Sequence, residues 1–379
     1  MTQKIISREF ILVFFAQVAL AFVFQLLIPT FPIYLSRLGS TDVEIGVLVG
    51  VFGFTSVALR PFVGKALAKT SEKTFMLGGA LLHAFTAVGY LLAPPFWPVF
   101  MVRALQGIGF AFFHTASITL IAHMGSGSRR GQIITYFTVA MNIAGALAPP
   151  LGMFLINHFS FTVLFLVCGG LSLLSLLLAG RLNRRQVDQP QEPSVEEGFF
   201  LSRKALPPSI ISGFALFTWG ALSAFFPLYA IDHGMTNPGL FFTTVAVVLI
   251  LGRALGGRIL DLYSKEKIIL PCIVTGFVSM FILAFSNSLP MFITVAVIWG
   301  AGQAFLMPSL TIYALEHSGC SAGQAMGTFM AVSDMGIFLG PLTMGIVVQS
   351  TGYRTMFLCL AIMNVINLVY FRFFARHKG

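Results

Sequence analysis

Residues 97–123 read WPVFMVRALQGIGFAFFHTASITLIAH. Such a run can cross a bilayer as an α-helix, which takes about 20 mostly apolar residues. Inside it stand an arginine, Arg103, and a histidine, His114. A charge in hydrocarbon costs about 2.5 to 3.5 kcal/mol even on the lenient insertion scale. The stretch therefore predicts a spanning helix and, by position alone, a functional candidate within it.

Working outward, comparable apolar runs recur along all 379 residues, of which 57% are hydrophobic and 9% charged; the mean hydropathy is +0.89. The runs are too long for barrel strands and lack period-two alternation, so they are helices that satisfy their own backbone groups. The expected fold class is an all-α integral membrane protein. Polar and Gly/Pro breaks predict helices at 9–34, 43–66, 74–93, 97–123, 131–156 and 161–182, then 205–230, 237–260, 267–286, 290–315, 323–348 and 353–374. Between the two sets lies NRRQVDQPQEPSVEEGFFLSRK, residues 183–204, which reads as a cytoplasmic linker between bundles at 1–182 and 205–379.

The net charge of +10 follows the same pattern and does not mark a nucleic-acid partner. With both termini on one side, every Lys and Arg except Arg37, Arg354 and the intramembrane Arg103 falls on that side. The positive-inside rule makes that side the cytoplasm, with the chain in the cell (inner) membrane. Cys168, Cys272, Cys320 and Cys359 lack metal spacing and read as packing residues without a disulfide. Phe10 to Ile28 is long enough to span, and no small-residue cleavage site follows it.

The chain also repeats itself. FPIY at Phe31–Tyr34 recurs as FPLY at Phe226–Tyr229, an offset of 195. Arg60 and Gly64 recur as Arg253 and Gly257, and Gly107 and Gly109 as Gly300 and Gly302, at 193. Gly131-Gln132 recurs as Gly323-Gln324 at 192. A near-constant offset means that one six-helix unit was duplicated. Because six is even, the copies are parallel repeats.

With these motifs in place, the sequence resembles the major facilitator superfamily over essentially its full length, nearest in motifs to proton-coupled drug and metabolite efflux members. The fourth-helix pattern Arg-x-x-Gln-Gly-x-Gly matches at Arg103, Gln106, Gly107 and Gly109. The family's loop pattern, an arginine followed by Gly-x-x-x-Asp-Arg-x-Gly-Arg, matches best at Arg253, Gly257 and Asp261. The first-half copy keeps Arg60, Gly64 and Lys69 and has Ala68 in place of the acid. The antiporter pattern of helix 5 survives as Ala144, Ala148, Pro149 and Gly152, and its glycine form stands in helix 11 as Gly336, Gly340 and Pro341. The resemblance implies two six-helix repeats around a central cavity, alternating access, and gating loops at Arg60, Gly64, Arg253, Gly257 and Asp261. It implies that Arg103 influences a nearby proton site.

Arg103 and His114 are eleven residues apart, about 1100° of helix and so within about 20° of one face, with Gly107 and Phe110 between them. Asp334 is the acid placed near the middle of a span, where apolar surroundings suit a proton carrier; its repeat position is Asn142. Asp334, Arg103 and His114 are the expected proton-coupling residues. Gln17, Gln25, Gln106, Asn142, Trp219 and Ser223 are expected to line the substrate cavity, since amides and indoles orient a ligand without net charge. Tyr34 and Tyr229 read as anchors at the outer interface.

The histidines lack the spacing of a metal set, and no phosphate-binding Gly-x-x-x-x-Gly-Lys loop is present. No nucleophile, base and acid arrangement marks an enzyme. We therefore expect no cofactor and no metal. The expected partners are a small-molecule substrate, protons and the lipid bilayer, with no nucleic acid, and the chain is expected to be a monomer. The first reading is export of small amphipathic organic compounds. The alternatives are proton-coupled uptake of a small organic acid or nutrient, a lipid flippase, and a non-transporting membrane receptor.

Overall fold

Short polar and Gly/Pro stops separate the apolar runs, and the computed structural model breaks its helices there, while prolines within a run, such as Pro29, Pro32 and Pro341, stay inside continuous helices. It describes residues 7–67, 69–124, 129–183, 203–317 and 322–375. Twelve α-helices follow in chain order: α1 Arg8–Arg37, α2 Asp42–Leu67, α3 Glu72–Leu92, α4 Trp97–Met124, α5 Arg129–His158 and α6 Phe161–Gly180, then α7 Leu206–Asp232, α8 Gly239–Leu262, α9 Lys265–Leu283, α10 Leu289–His317, α11 Ala322–Thr351 and α12 Tyr353–Tyr370. A π-helical turn, Phe371–Ala375, closes the described chain, and no strand occurs among the described residues. Eleven of the helices are long and apolar enough to cross a membrane, and α8 contributes the shorter apolar segment Gly239–Ala254. Most of the expected linker, residues 184–202, and Ala68 and Cys320 lie outside the described residues.

Local chemistry sets the boundaries. The Ser7 hydroxyl accepts from the Phe10 amide at 3.1 Å and starts α1, and Ser160 does the same for α6 through Val163 at 3.3 Å. The first helix of each half ends on a glycine at positive φ, Gly39 at 82° and Gly234 at 78°. A side chain is strained in that conformation, and the two glycines are 195 residues apart.

Contacts group the chain into two units: Met1–Gly39 with Val51–Glu192, and Ser40–Gly50 with Pro193–Gly379. In the first, α1 packs on α5 and α6, and α3 on α4 and α6. In the second, α7 packs on α11, α9 on α10 and α12, and α10 on α8. The shared pairings α1·α5 with α7·α11, α3·α4 with α9·α10 and α3·α6 with α9·α12 are what a parallel duplication produces.

Packing depends on small residues. A Cβ on Gly336 would meet the Gly213 carbonyl, and one on Gly340 the Phe217 carbonyl, so α7 and α11 touch backbone to backbone. A Cβ on Gly79 would come within 2.6 Å of the Gly109 carbonyl, which draws α3 equally close to α4. Large apolar side chains also face outward: Phe85 is 65% exposed and Leu177 67%. In water such a surface would be a liability; against lipid tails it is the matching one.

Repeat-related tyrosines close the core of each unit. Tyr34 donates to the Tyr90 carbonyl at 2.8 Å. Tyr229 donates to the carbonyls of Leu283 at 3.2 Å and Ser286 at 2.5 Å. Each phenol thus donates to backbone carbonyls at or just past the C-terminal end of α3 or α9, and Tyr229 is buried. The hydroxyls turn to backbone, a different use from the interface anchors that the sequence predicts. At the other end of the first unit, Lys73 donates to Gly180 O at 2.6 Å and Leu182 O at 2.5 Å, and Asn183 donates to Glu9 at 2.9 Å. The last carbonyls of α6 are thereby fixed to α3, and the residue after them to α1.

Candidate functional site

Gly107 brings the first cluster together. Its missing side chain leaves room for Thr55 and the Phe52 carbonyl of α2 against α4, where a Cβ would collide with both. Phe52 thereby reaches Arg103, one turn earlier. The guanidinium lies 4.7 Å from the Phe52 ring centroid and 4.3 Å from that of Phe31. Arg103 donates to Gln106 Oε1 at 2.6 Å, an i, i+3 contact within α4. The same oxygen accepts from the Tyr90 hydroxyl at 2.7 Å.

Arg103 is 6% exposed, and its Nε has no hydrogen-bond partner. A buried cation ordinarily demands an acid. Among the described residues no carboxylate pairs with Arg103; an amide oxygen and two ring faces hold it. His83 of α3 is buried beside this cluster with neither ring nitrogen hydrogen-bonded.

The second cluster joins three helices. Gln17 Nε2 of α1 lies 3.3 Å from His114 Nδ1 of α4 and donates to Met141 Sδ of α5 at 3.3 Å. The Gln17 oxygen accepts from Ser117 Oγ at 3.0 Å. His114 stacks on Phe110 with centroids 5.1 Å apart and planes inclined by 18°. Phe110 packs on Phe52 at 5.4 Å and Phe24 at 5.3 Å. The expected stripe along α4 is therefore filled by aromatic rings, and Phe52 touches both the Phe110 ring and the arginine.

The second unit carries a counterpart at the repeat positions. Ser212 of α7 donates to Met307 Sδ of α10 at 3.4 Å, and Ser333 of α11 donates to Ser212 at 2.8 Å. These residues correspond to Gln17, His114 and Met141 at offsets of 195, 193 and 192. Asp334, next to Ser333, is half-buried near the middle of α11.

The other expected residues are more dispersed. Gln106 and Gln17 are buried at 2% and 1% exposure, so they position Arg103 and His114 and offer little surface to a ligand. Gln25 of α1 and Asn142 of α5 are half-buried. Trp219 is half-buried edge-on to Phe242, and the Ser223 hydroxyl returns to its own helix at Gly220 O, 2.8 Å away. Arg60 is half-buried on α2, Gly64 lies in the last turns of that helix, and Arg253 of α8 is exposed. Gly257 and Asp261 belong to α8, but their side chains lie outside what the structure describes. Among the described residues no group of three or more His, Cys, Asp or Glu gathers. His123 pairs instead with the buried Glu72 at 2.9 Å.

Sequence reasoning missed Tyr90, Ser117 and Met141. A signal for Ser117 was available, since it follows His114 by one helical turn and so shares its side of α4.

Comparison with known proteins accords with this architecture. A family model described as Major Facilitator Superfamily matches residues 13–322 and, in a second match, 237–379. The chain is 23% identical over 356 residues to the Staphylopine export protein of Staphylococcus aureus (strain Mu50 / ATCC 700699), covering 88% of this chain and 87% of that one. It is 23% identical over 369 residues to a Multi-drug resistance efflux pump PmrA homolog of Lactococcus lactis subsp. lactis (strain IL1403), covering 92% and 90%. Among solved structures, that of the nucleoside transporter NupG superposes with a TM-score of 0.82 at 15% identity, over 98% of this chain and all of that one.

Proposed function

The chain belongs to the major facilitator superfamily, and from that premise we propose that this multi-pass membrane transporter exports small amphipathic organic compounds in exchange for protons, by alternating access. Export is supported by the relatives, whose names describe an export protein and a multidrug efflux pump. Arg103 carries the proton-coupling part of the reading: a buried cation held by Gln106 and two aromatic rings, with no carboxylate on it among the described residues. Such a charge is a fixed field source in a low-dielectric setting. In this reading Asp334 carries the proton, and Arg103 and His114 modulate it. Amides and aromatics at Gln25, Asn142 and Trp219 suit a substrate with an apolar body and few polar groups. The transporter sits in the cell membrane as bundles 1–182 and 205–379 joined by a cytoplasmic linker, with both termini in the cytoplasm, as the sorting of Lys and Arg supports.

Proteoliposomes with an imposed pH gradient test the reading against a panel of amphipathic cations, neutral compounds and organic acids. We expect gradient-driven movement of the amphipathic compounds, lost in Asp334→Asn. Movement that is indifferent to the gradient and survives Asp334→Asn would sink the proton-coupled reading. The unneutralised Arg103 also favours a second reading, uptake of a small organic acid whose carboxylate completes the pair. In that case organic acids move down the proton gradient, and Arg103→Gln abolishes their transport selectively.

A further inference from the structure

The Gln17 side chain is fully used. One amide N–H points at His114 Nδ1, the other at Met141 Sδ, and the oxygen accepts from Ser117. Because Nδ1 receives a hydrogen, it carries none itself, and the imidazole proton sits on Nε2. Among the described residues nothing is bonded to Nε2, and the ring is half-buried with one face covered by Phe110.

We propose that Gln17 is a positioning residue that holds His114 as the neutral Nε2–H tautomer, so that the first unit offers a ligand a hydrogen-bond donor, and that charging His114 requires the Gln17 amide to turn over. The ligand group this donor takes is an acceptor: a carbonyl, a carboxylate oxygen or an unprotonated ring nitrogen. When Nδ1 takes up a proton, two donors face each other until the amide turns. Its oxygen then accepts Nδ1–H, and its nitrogen faces Ser117. The hydroxyl can receive that N–H because it already has a second acceptor for its own hydrogen, the His114 carbonyl at 3.0 Å. What is lost is the weak contact between one amide N–H and Met141 Sδ. The stronger bonds are paired in both arrangements, and one amide rotation separates them.

The neighbouring elements add one charge. Arg60 of α2 faces His114 electrostatically; α1 contributes Gln17, α5 contributes Met141, and α4 itself contributes Phe110 and Ser117, none of them charged. The repeat-related node of Ser212, Met307 and Ser333 has the same three-helix connection but no group that titrates near neutral pH. Of the two nodes, the first-half one alone contains an imidazole.

The tautomer belongs to the resting protein and stands whether or not His114 carries the coupling proton, so its failure is distinct from failure of the transport reading. The test is 15N NMR of the full-length protein with labelled histidine side chains, His114 being assigned by the signal lost in His114→Gln. In the wild type above the titration range we expect the Nε2–H pattern. Gln17→Leu relaxes the tautomer ratio roughly three- to tenfold, the worth of one ordinary hydrogen bond. Gln17→Glu, whose carboxylate can only accept, inverts it toward Nδ1–H. Ser117→Ala removes the hydroxyl that orients the amide and loosens the bias while leaving Gln17 in place. An Nδ1–H pattern in the wild type, or a ratio unmoved by Gln17→Leu, would overturn the proposal. Should the Gln17 variants fail to fold, the wild-type spectrum and Ser117→Ala still decide it.

Discussion

Arg103, Gln106 and His83 of the first unit have Ala296, Trp299 and Gly276 as repeat partners in the second, each at an offset of 193. The first set is a buried cation with polar neighbours. In the second set an indole fills the volume: Trp299 is 1% exposed, and Gly276, in place of His83, leaves room for Asn364, whose Oδ1 a Cβ there would meet at 2.5 Å. The same division separates His114 from Met307 in the two three-helix nodes. What the copies share is backbone geometry: the positive-φ glycines, the tyrosine caps and the α1·α5 and α7·α11 pairings. Duplication has held the positions where the main chain dictates a residue type and released those where one side chain's volume can replace another's polarity.

The hardest blow to this comparison is Ala296→Arg, which asks the second unit to accept the first unit's charge. Ala296 has no exposed surface, and with Trp299 where Gln106 stands, the acceptor that holds Arg103 is missing. An unpaired buried charge costs about 3 to 5 kcal/mol, so we expect no folded protein by size-exclusion chromatography in detergent. A monodisperse Ala296→Arg protein would mean that the second copy keeps a latent polar site.

A smaller effect separates the two packing modes. At the repeat positions of Gly336 and Gly340 the first unit has Ala144 and Ala148, both with no exposed surface. Gly340→Ala drives a methyl into the Phe217 carbonyl and should cost about 1 to 3 kcal/mol by overpacking. Ala148→Gly removes a methyl and should cost about 0.5 to 1 kcal/mol through backbone entropy. Thermal unfolding in one detergent ranks them, and equal shifts in Tm would show that α1·α5 and α7·α11 are packed alike.

The smallest effect sharpens the symmetry. Each of Tyr34→Phe and Tyr229→Phe removes one donated hydroxyl hydrogen, at about 0.5 to 1.5 kcal/mol, and Tyr229 is the more buried of the two. Both variants should fold, with the lower Tm in Tyr229→Phe. The reverse order would place the greater load on the first cap.

Much of this fold was legible in the chain because lipid imposes a simple grammar: apolar runs of spanning length, broken by glycine, proline and charge. The predicted boundaries follow the observed helices to within a few residues, as at α4, 97–123 against Trp97–Met124. Shared faces within one helix were legible too, as for the stripe of α4 that carries Arg103, Phe110 and His114. The node around His114 was not, because Gln17 and Met141 lie 97 residues before and 27 after it in sequence, and no spacing rule joins positions on separate helices. Met141 and Tyr90 also look like packing residues until an acceptor sulfur or a donating hydroxyl is seen in place. Gln106 shows the opposite limit: its polarity suggested a cavity wall, and its neighbours made it a brace.

The Lys73 ammonium, bonded to Gly180 O and Leu182 O beside the Asn183 contact to Glu9, sits where the first bundle hands over to the connecting chain. A helix usually fails from its free end, where the last carbonyls have nothing to hold. Here that end is riveted to two neighbours, so tension applied beyond Asn183 is shared among α6, α3 and α1 and cannot peel α6 away turn by turn. The first bundle would answer such a pull as a single mechanical part.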